Sequence, residues 1–223
     1  MTPTVEQVLA VLAHELRTPI GVAQSYLRLM RETPATADPA RVPLVDRTRD
    51  ALTRVSEVTR QSDELARQLN AIAVSTAQLV PVSVVSSAVA DICAAVAIPY
   101  TSPQTNGQSL QGHVRATRPD VLAAAFSALL DGLRRERTEL EVEARVERGA
   151  PADSALRFVV GSKADRAAVQ AAAAHVPVPV PVDRGGLGLN FVGSVLLLCA
   201  CGARPWTLDG ARSVAVVDFS LED

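Results

Sequence analysis

A chain of 223 residues with 48% hydrophobic content and a net charge of −2 holds one large domain or two modest ones, and this composition excludes a disordered chain. Lys163 is the only lysine, the arginines form no basic block, and aromatics make up 3% of the sequence. Neither a phosphate-tracking stripe nor a base-stacking platform is present, which excludes nucleic acid as a partner.

At the start of the chain, residues 1–7 lack the positive charge and unbroken apolar core of a signal peptide, so export is not expected. Val5, Val8, Leu9, Leu12, Leu16, Ile20, Ala23, Leu27 and Met30 then recur at three- and four-residue steps, the spacing of one apolar face on a long helix. Thr2 and Thr4 flank a proline suited to its first turn. A break is expected over 31–43, where Pro34, Pro39 and Pro43 fall, and a second 3-4 rhythm follows through Val45, Thr48, Leu52, Val55, Thr59, Ser62, Ala66 and Leu69. Two such helices make a hairpin whose seam stays open unless a second hairpin covers it, so residues 1–75 are expected to be a dimerisation unit forming a four-helix bundle.

From Val82 the pattern changes, and residues 76–223 read as a second domain. Val84, Val85, Ala88, Val89, Ile92 and Val96 suggest a helix, and a polar passage rich in Pro, Gly and Ser runs to Gly112. A further helix over 119–135 has Pro119 and Asp120 in its first turn. Charged and apolar residues alternate over 139–147, a turn is expected over 149–153, and an apolar strand returns over 155–160, together a β-hairpin with one solvated face. The Pro-Val alternation over 177–182 is expected as an extended loop. An apolar helix over 189–201 and a closing strand over 213–221 complete the domain. The fold class is α+β: an N-terminal helical hairpin followed by an α/β two-layer sandwich with its helices on one face of the sheet. The longest apolar stretch, 191–203, is interrupted by Gly193, Ser194 and Gly202 and falls short of the roughly 18 residues of a membrane span. Cys93, Cys199 and Cys201 are an odd number without ligand-spaced histidines, as expected of reduced, inert thiols in the cytoplasm rather than a zinc site.

The chemistry concentrates in Leu12-Ala13-His14-Glu15-Leu16-Arg17-Thr18-Pro19-Ile20. A histidine exposed on a bundle helix offers a neutral ring nitrogen as nucleophile, and the adjacent Glu15 carboxylate can hold the other ring N–H and offset developing positive charge. Pro19 removes a backbone N–H and is expected to bend the helix beside the ring. The string resembles the phosphoacceptor box of bacterial two-component sensor histidine kinases, and the whole chain can be laid along that family's two-domain core. The resemblance implies that His14 carries a phosphoryl group and that the Thr18 hydroxyl, one turn on, orients water for dephosphorylating a partner's aspartate. His113 and His175 lack this setting and read as loop or surface histidines.

The same resemblance implies an ATP site in the second domain, with cofactor-binding positions at Asp131, Gly186 and Gly188 and Asp131 as the metal ligand. Asp183-Arg184-Gly185-Gly186-Leu187-Gly188-Leu189 is similar to the family's glycine box, where backbone N–H groups approach phosphate at a helix start. The rest departs from the pattern. Ser127 and Asp131 stand where the asparagine helix is expected, and Gly161-Ser162-Lys163-Ala164-Asp165 falls where the adenine-reading Asp-x-Gly-x-Gly belongs, so Gly161 supplies no carboxylate there. The expected function is therefore a phosphorelay protein exchanging a phosphoryl group between His14 and an aspartate of a response regulator receiver domain, as a homodimer and with no cofactor of its own. The alternatives are an autophosphorylating histidine kinase that uses ATP and Mg²⁺ through a divergent pocket, and a non-catalytic pseudokinase scaffold. With 13 residues before His14, any stimulus is expected to arrive through another protein.

Overall fold

The structure, a computed structural model, describes residues 5–32, 38–103, 112–136, 139–147, 154–171, 178–180, 188–208 and 214–222. Helices α1 (Val5–Glu32) and α2 (Asp38–Ala73) lie side by side, and the pairings of Tyr26 with Arg47 and of Glu15 with Arg54 show them to be antiparallel. The expected break over 31–43 is shorter than the prolines suggested: α1 runs to Glu32, and Pro39 and Pro43 both lie inside α2. The first helical N–H groups have no partner in any case, so Pro39 sacrifices little, whereas Pro43, the sixth residue of the helix, forgoes one helical hydrogen bond. The hydroxyls of the α2 rhythm are satisfied within the helix, as Thr48, Thr59 and Ser62 donate to the carbonyls of Leu44, Val55 and Val58. This lets polar residues occupy a mostly apolar seam. Thr2 and Thr4 lie outside the described residues.

After the hairpin come β1 (Gln78–Pro81), α3 (Val82–Ala95), β2 (Tyr100–Thr101), β3 (His113–Ala116), α4 (Pro119–Glu136), β4 (Glu141–Glu147), β5 (Ala155–Gly161), α5 (Lys163–Ala171), β6 (Val178–Pro179), α6 (Gly188–Ala200), β7 (Ala203–Thr207) and β8 (Ala215–Glu222). The sheet runs β1-β3-β8-β5-β4-β2, with β7 on the free part of the β8 edge and β6 beyond it. The β4–β5 pair is the expected hairpin, antiparallel from Glu141↔Gly161 to Glu147↔Ala155; the turn between them lies outside the described residues. All pairings are antiparallel except β2–β4.

Alternation on two central strands builds two cores. Leu156, Phe158 and Val160 of β5 and Ala215, Val217 and Phe219 of β8 face α3, α4 and α6, whereas Val159, Val214 and Val216 face the other way. Phe158 stands edge-on to both Phe126 of α4 and Phe219, at ring separations of 5.6 and 6.2 Å. The α+β expectation holds, with one addition: α5 lies on the opposite face, where Val169 packs with Val159 and Val216. On that face Arg157 makes a two-pronged ion pair with Asp218, which also accepts from the Trp206 indole.

The hairpin does not stand apart from the sheet domain. Ile72 is buried in the main core, Val8, Val11, Leu65 and Leu69 pack against it, and both long helices touch α6. Part of the Pro-Val alternation departs from the loop expectation, because Val178–Pro179 forms an edge strand on β7, where a missing N–H is tolerated. His113 sits exposed on β3 rather than in a loop, and His175 lies outside the described residues. Cys93 and Cys201 are buried and free, and burial pushes both thiols up to about 11, which keeps them protonated and unreactive at neutral pH. Among the described residues no helix is long and apolar enough to cross a membrane.

Candidate functional site

His14, Glu15 and Thr18 fall within little more than one turn of α1 and line one groove of about 580 Å³ between the two long helices. The i, i+4 spacing places His14 and Thr18 on one face, and both side chains are exposed. The Thr18 hydroxyl donates to the His14 carbonyl at 3.5 Å, the outer limit of a hydrogen bond, so it is weakly held and can turn to a second acceptor or to water. Pro19 is buried behind them. It has no N–H to offer the carbonyl one turn back, yet α1 continues unbroken through it.

The opposite wall of the groove comes from α2 and was not legible from the motif. Arg47, Asp50, Ala51 and Arg54 line it. Arg54 reaches across the hairpin and donates from Nη2 to Glu15 Oε2 at 3.1 Å, with the glutamate side chain 16% exposed and the arginine 49%. Arg47 donates to the Tyr26 hydroxyl at 2.8 Å and lies over the same ring, and this bond holds its guanidinium above the usual arginine range. These residues lie 21 and 39 positions from their partners, so only the pairing register of two helices brings them together.

The nucleotide positions expected from the second domain are not assembled in the same way. Asp131 is exposed on α4, and the residue after it, Gly132, leaves no side-chain space: a Cβ there would fall 2.6 Å from the Phe191 ring. Gly186 lies outside the described residues. Gly188 begins α6 with φ +72°, and a Cβ built on it would lie 3.7 Å from both Glu15 Oε2 and Arg135 Nη1. The surviving end of the glycine box therefore abuts the hairpin beside His14. Among the described residues no group of three or more His, Cys, Asp or Glu side chains is placed to hold a metal ion.

Residues 161–165 start a helix. Ser162 is the N-cap of α5: its backbone N–H and hydroxyl donate to Asp165 Oδ2 at 3.1 and 2.7 Å, and its Oγ accepts from the Asp165 N–H at 3.2 Å. This is a reciprocal capping box. Arg166, the next residue, is tied to Glu141 and Glu143 on β4. A Cβ at Gly161 would lie 3.0 Å from Asp165 Cβ and 3.2 Å from Val214 Cγ2, so a larger residue does not fit there without movement. The one carboxylate in the segment is engaged by the cap and faces its own helix start. Residues 161–165 therefore leave no carboxylate free to read an adenine amino group.

Comparison with known proteins bears on the hairpin. The sequence matches the His Kinase A (phospho-acceptor) domain over residues 4–72. Among solved structures, the chain is similar to Acinetobacter baumannii histidine kinase AdeS, at 16% identity and a TM-score of 0.48 over 94% of this chain and 98% of that one. It is also similar to full-length ShkA solved in complex with AMPPNP, at 19% identity and a TM-score of 0.43 over 98% of this chain; it spans 45% of the ShkA chain. No curated protein matches it. The family match thus covers the N-terminal hairpin, residues 4–72, and does not extend to the sheet domain.

Proposed function

We propose that the chain is a histidine phosphotransferase: as a homodimer it exchanges a phosphoryl group between His14 and the aspartate of a response regulator receiver domain, without using ATP itself. The observation that carries this reading is a contrast within one molecule. His14 lies exposed in a groove with Glu15 and Thr18, while the segment aligned with the adenine-reading loop is closed into a helix cap.

One ring nitrogen of His14 attacks the phosphorus of the receiver's aspartyl phosphate. An N–P bond forms as the P–O bond breaks, and the electron pair leaves on the aspartate carboxylate. Glu15 holds the proton on the other ring nitrogen and offsets the positive charge that grows on the imidazole. The return step runs through the same groups. Thr18, loosely held by the His14 carbonyl, orients water for hydrolysis of the partner's acyl phosphate. Dimerisation closes the second seam of the hairpin, where Leu27, Val45 and Leu52 are exposed and a further groove opens between α1 and α2.

The test offers the purified protein, in parallel, labelled ATP with Mg²⁺ and a panel of receiver domains charged with labelled acetyl phosphate. Uptake from a receiver but not from ATP is the expected result. Uptake from ATP replaces this reading with the kinase; uptake from neither replaces it with the scaffold. Light scattering at micromolar concentration is expected to give a dimer.

A further inference from the structure

We infer that Arg54 is a positioning residue for phosphotransfer, holding the Glu15 carboxylate beside His14 where the start of α6 at Gly188 lies against it; this rests on the phosphotransferase reading. Three observations converge on one carboxylate. Arg54 comes from α2 and makes the single ion pair that joins the two long helices across the groove among the described residues, at 3.1 Å. Gly188 comes from a different part of the chain, and a Cβ built on it would lie 3.7 Å from Glu15 Oε2. Glu15 is also the most enclosed of the three expected catalytic side chains, since His14 and Thr18 are exposed and it is not.

An ion pair whose arginine is half exposed adds about 1 kcal/mol to stability, so packing alone gives little reason for an arginine here. Geometry gives more. A glutamate side chain has three rotatable bonds, and on a bare helix surface it samples several rotamers, few of which bring its carboxylate to the neighbouring ring. Fixing one oxygen to Arg54 leaves Oε1 to serve the imidazole. The adjoining start of α6 brings the positive end of a helix dipole near the carboxylate. The sheet domain, besides packing on the hairpin, thereby finishes the site: α6 meets both α1 and α2, and a glycine with φ +72° allows its first turn to approach this closely.

The test is a double-mutant cycle on transfer from a phosphorylated receiver, with the rate at saturating receiver and the half-saturating concentration measured separately. Arg54→Ala is expected to lower the saturated rate about 10- to 100-fold, the cost of a misplaced catalytic group, and to leave half-saturation unchanged. In a Glu15→Ala background it is expected to cost nothing further, and Arg54→Lys is expected to recover part of the loss. Added guanidinium is expected to rescue Arg54→Ala but not the double variant. Equal losses in both backgrounds, or a loss confined to half-saturation, overturn the inference while the phosphotransferase reading stands. A wild type that takes no label from any receiver overturns both.

Discussion

The groove at His14 and the turn at Ser162 are both places where the sequence resembles, wholly or in part, a working histidine kinase, and the structure treats them in opposite ways. At the groove the polar groups point outward into a space of about 580 Å³ between two helices, and the Thr18 hydroxyl has only a 3.5 Å bond to keep it. At the turn Ser162 and Asp165 satisfy each other and Arg166 is drawn to β4, leaving Lys163 as the exposed polar side chain. A site needs groups whose hydrogen-bonding capacity is left for a ligand, whereas a structural turn uses that capacity up. By this measure the groove keeps capacity for a ligand, and the Ser162 turn has spent its own, as the proposed function requires.

The largest expected effect tests the groove half of the comparison. His14→Ala is expected to abolish phosphoryl uptake altogether, because on the proposed mechanism His14 forms the N–P bond. Glu15→Ala is expected to slow transfer by about 10²–10⁴-fold, the usual contribution of a general base, and Thr18→Ala chiefly to slow dephosphorylation of the partner. Time-resolved transfer from a phosphorylated receiver measures all three, with circular dichroism confirming the fold. Residual labelling of the His14 variant would place the site elsewhere.

The Ser162 turn is tested by attempting to give it the missing carboxylate. Gly161→Asp returns an acidic residue to the adenine-reading position, but its Cβ meets Asp165 and the buried Val214 at 3.0 and 3.2 Å. It is expected to destabilise the protein by about 1–3 kcal/mol, the typical cost of overpacking, with no gain in ATP affinity. Denaturant unfolding and calorimetry read the two outcomes, and a dissociation constant in the low micromolar range for either protein with Mg²⁺ would reopen the nucleotide site. Asp165→Ala removes the acceptor for Ser162 and is expected to cost about 1 kcal/mol, as loss of a helix cap does, again without ATP binding.

The smallest expected effect lies at the start of α4, the helix that carries Asp131. The Arg118 guanidinium beside Asp120 lowers its carboxyl to about 2 from an ordinary 3.8. A carboxyl lowered in the folded state contributes stability above its unfolded value, and that contribution is lost as pH falls through the folded value. Unfolding experiments between pH 4 and pH 2 are therefore expected to show a shallower acid decline for Asp120→Asn than for the wild type. Because Asp120 is well exposed, the difference is expected to be small.

Legibility from sequence differed between the regions for physical reasons. The helices over 82–95 and 119–136 and the β4–β5 hairpin follow local patterns, and each was readable from periodicity, proline placement and charge alternation. β1, β2, β3 and β6 are two to four residues long, too short for any period to show. α5 was hidden for another reason. Ser162-x-x-Asp165 is a capping-box spacing, but reading 161–165 against a nucleotide loop directed attention to the missing carboxylate instead of to the helix that begins there. Arg54 was invisible because nothing local distinguishes it from the other arginines of α2.

By itself the sequence determined the hairpin, the α+β class and the phosphoacceptor string, because each is written in residues close enough along the chain for helix geometry, strand alternation or adjacent chemistry to act on them directly. The tertiary structure alone decided that Arg54 faces Glu15, that the start of α6 lies against the same carboxylate, and that Asp165 is committed to the Ser162 cap of α5. Two of those three depend on the register of packed helices, which is set by the sum of many weak apolar contacts spread over the chain rather than by any short string. The third depends on which of two local uses of a carboxylate prevails, and here the helix cap and the buried Val159, Val169 and Val216 favour the same outcome.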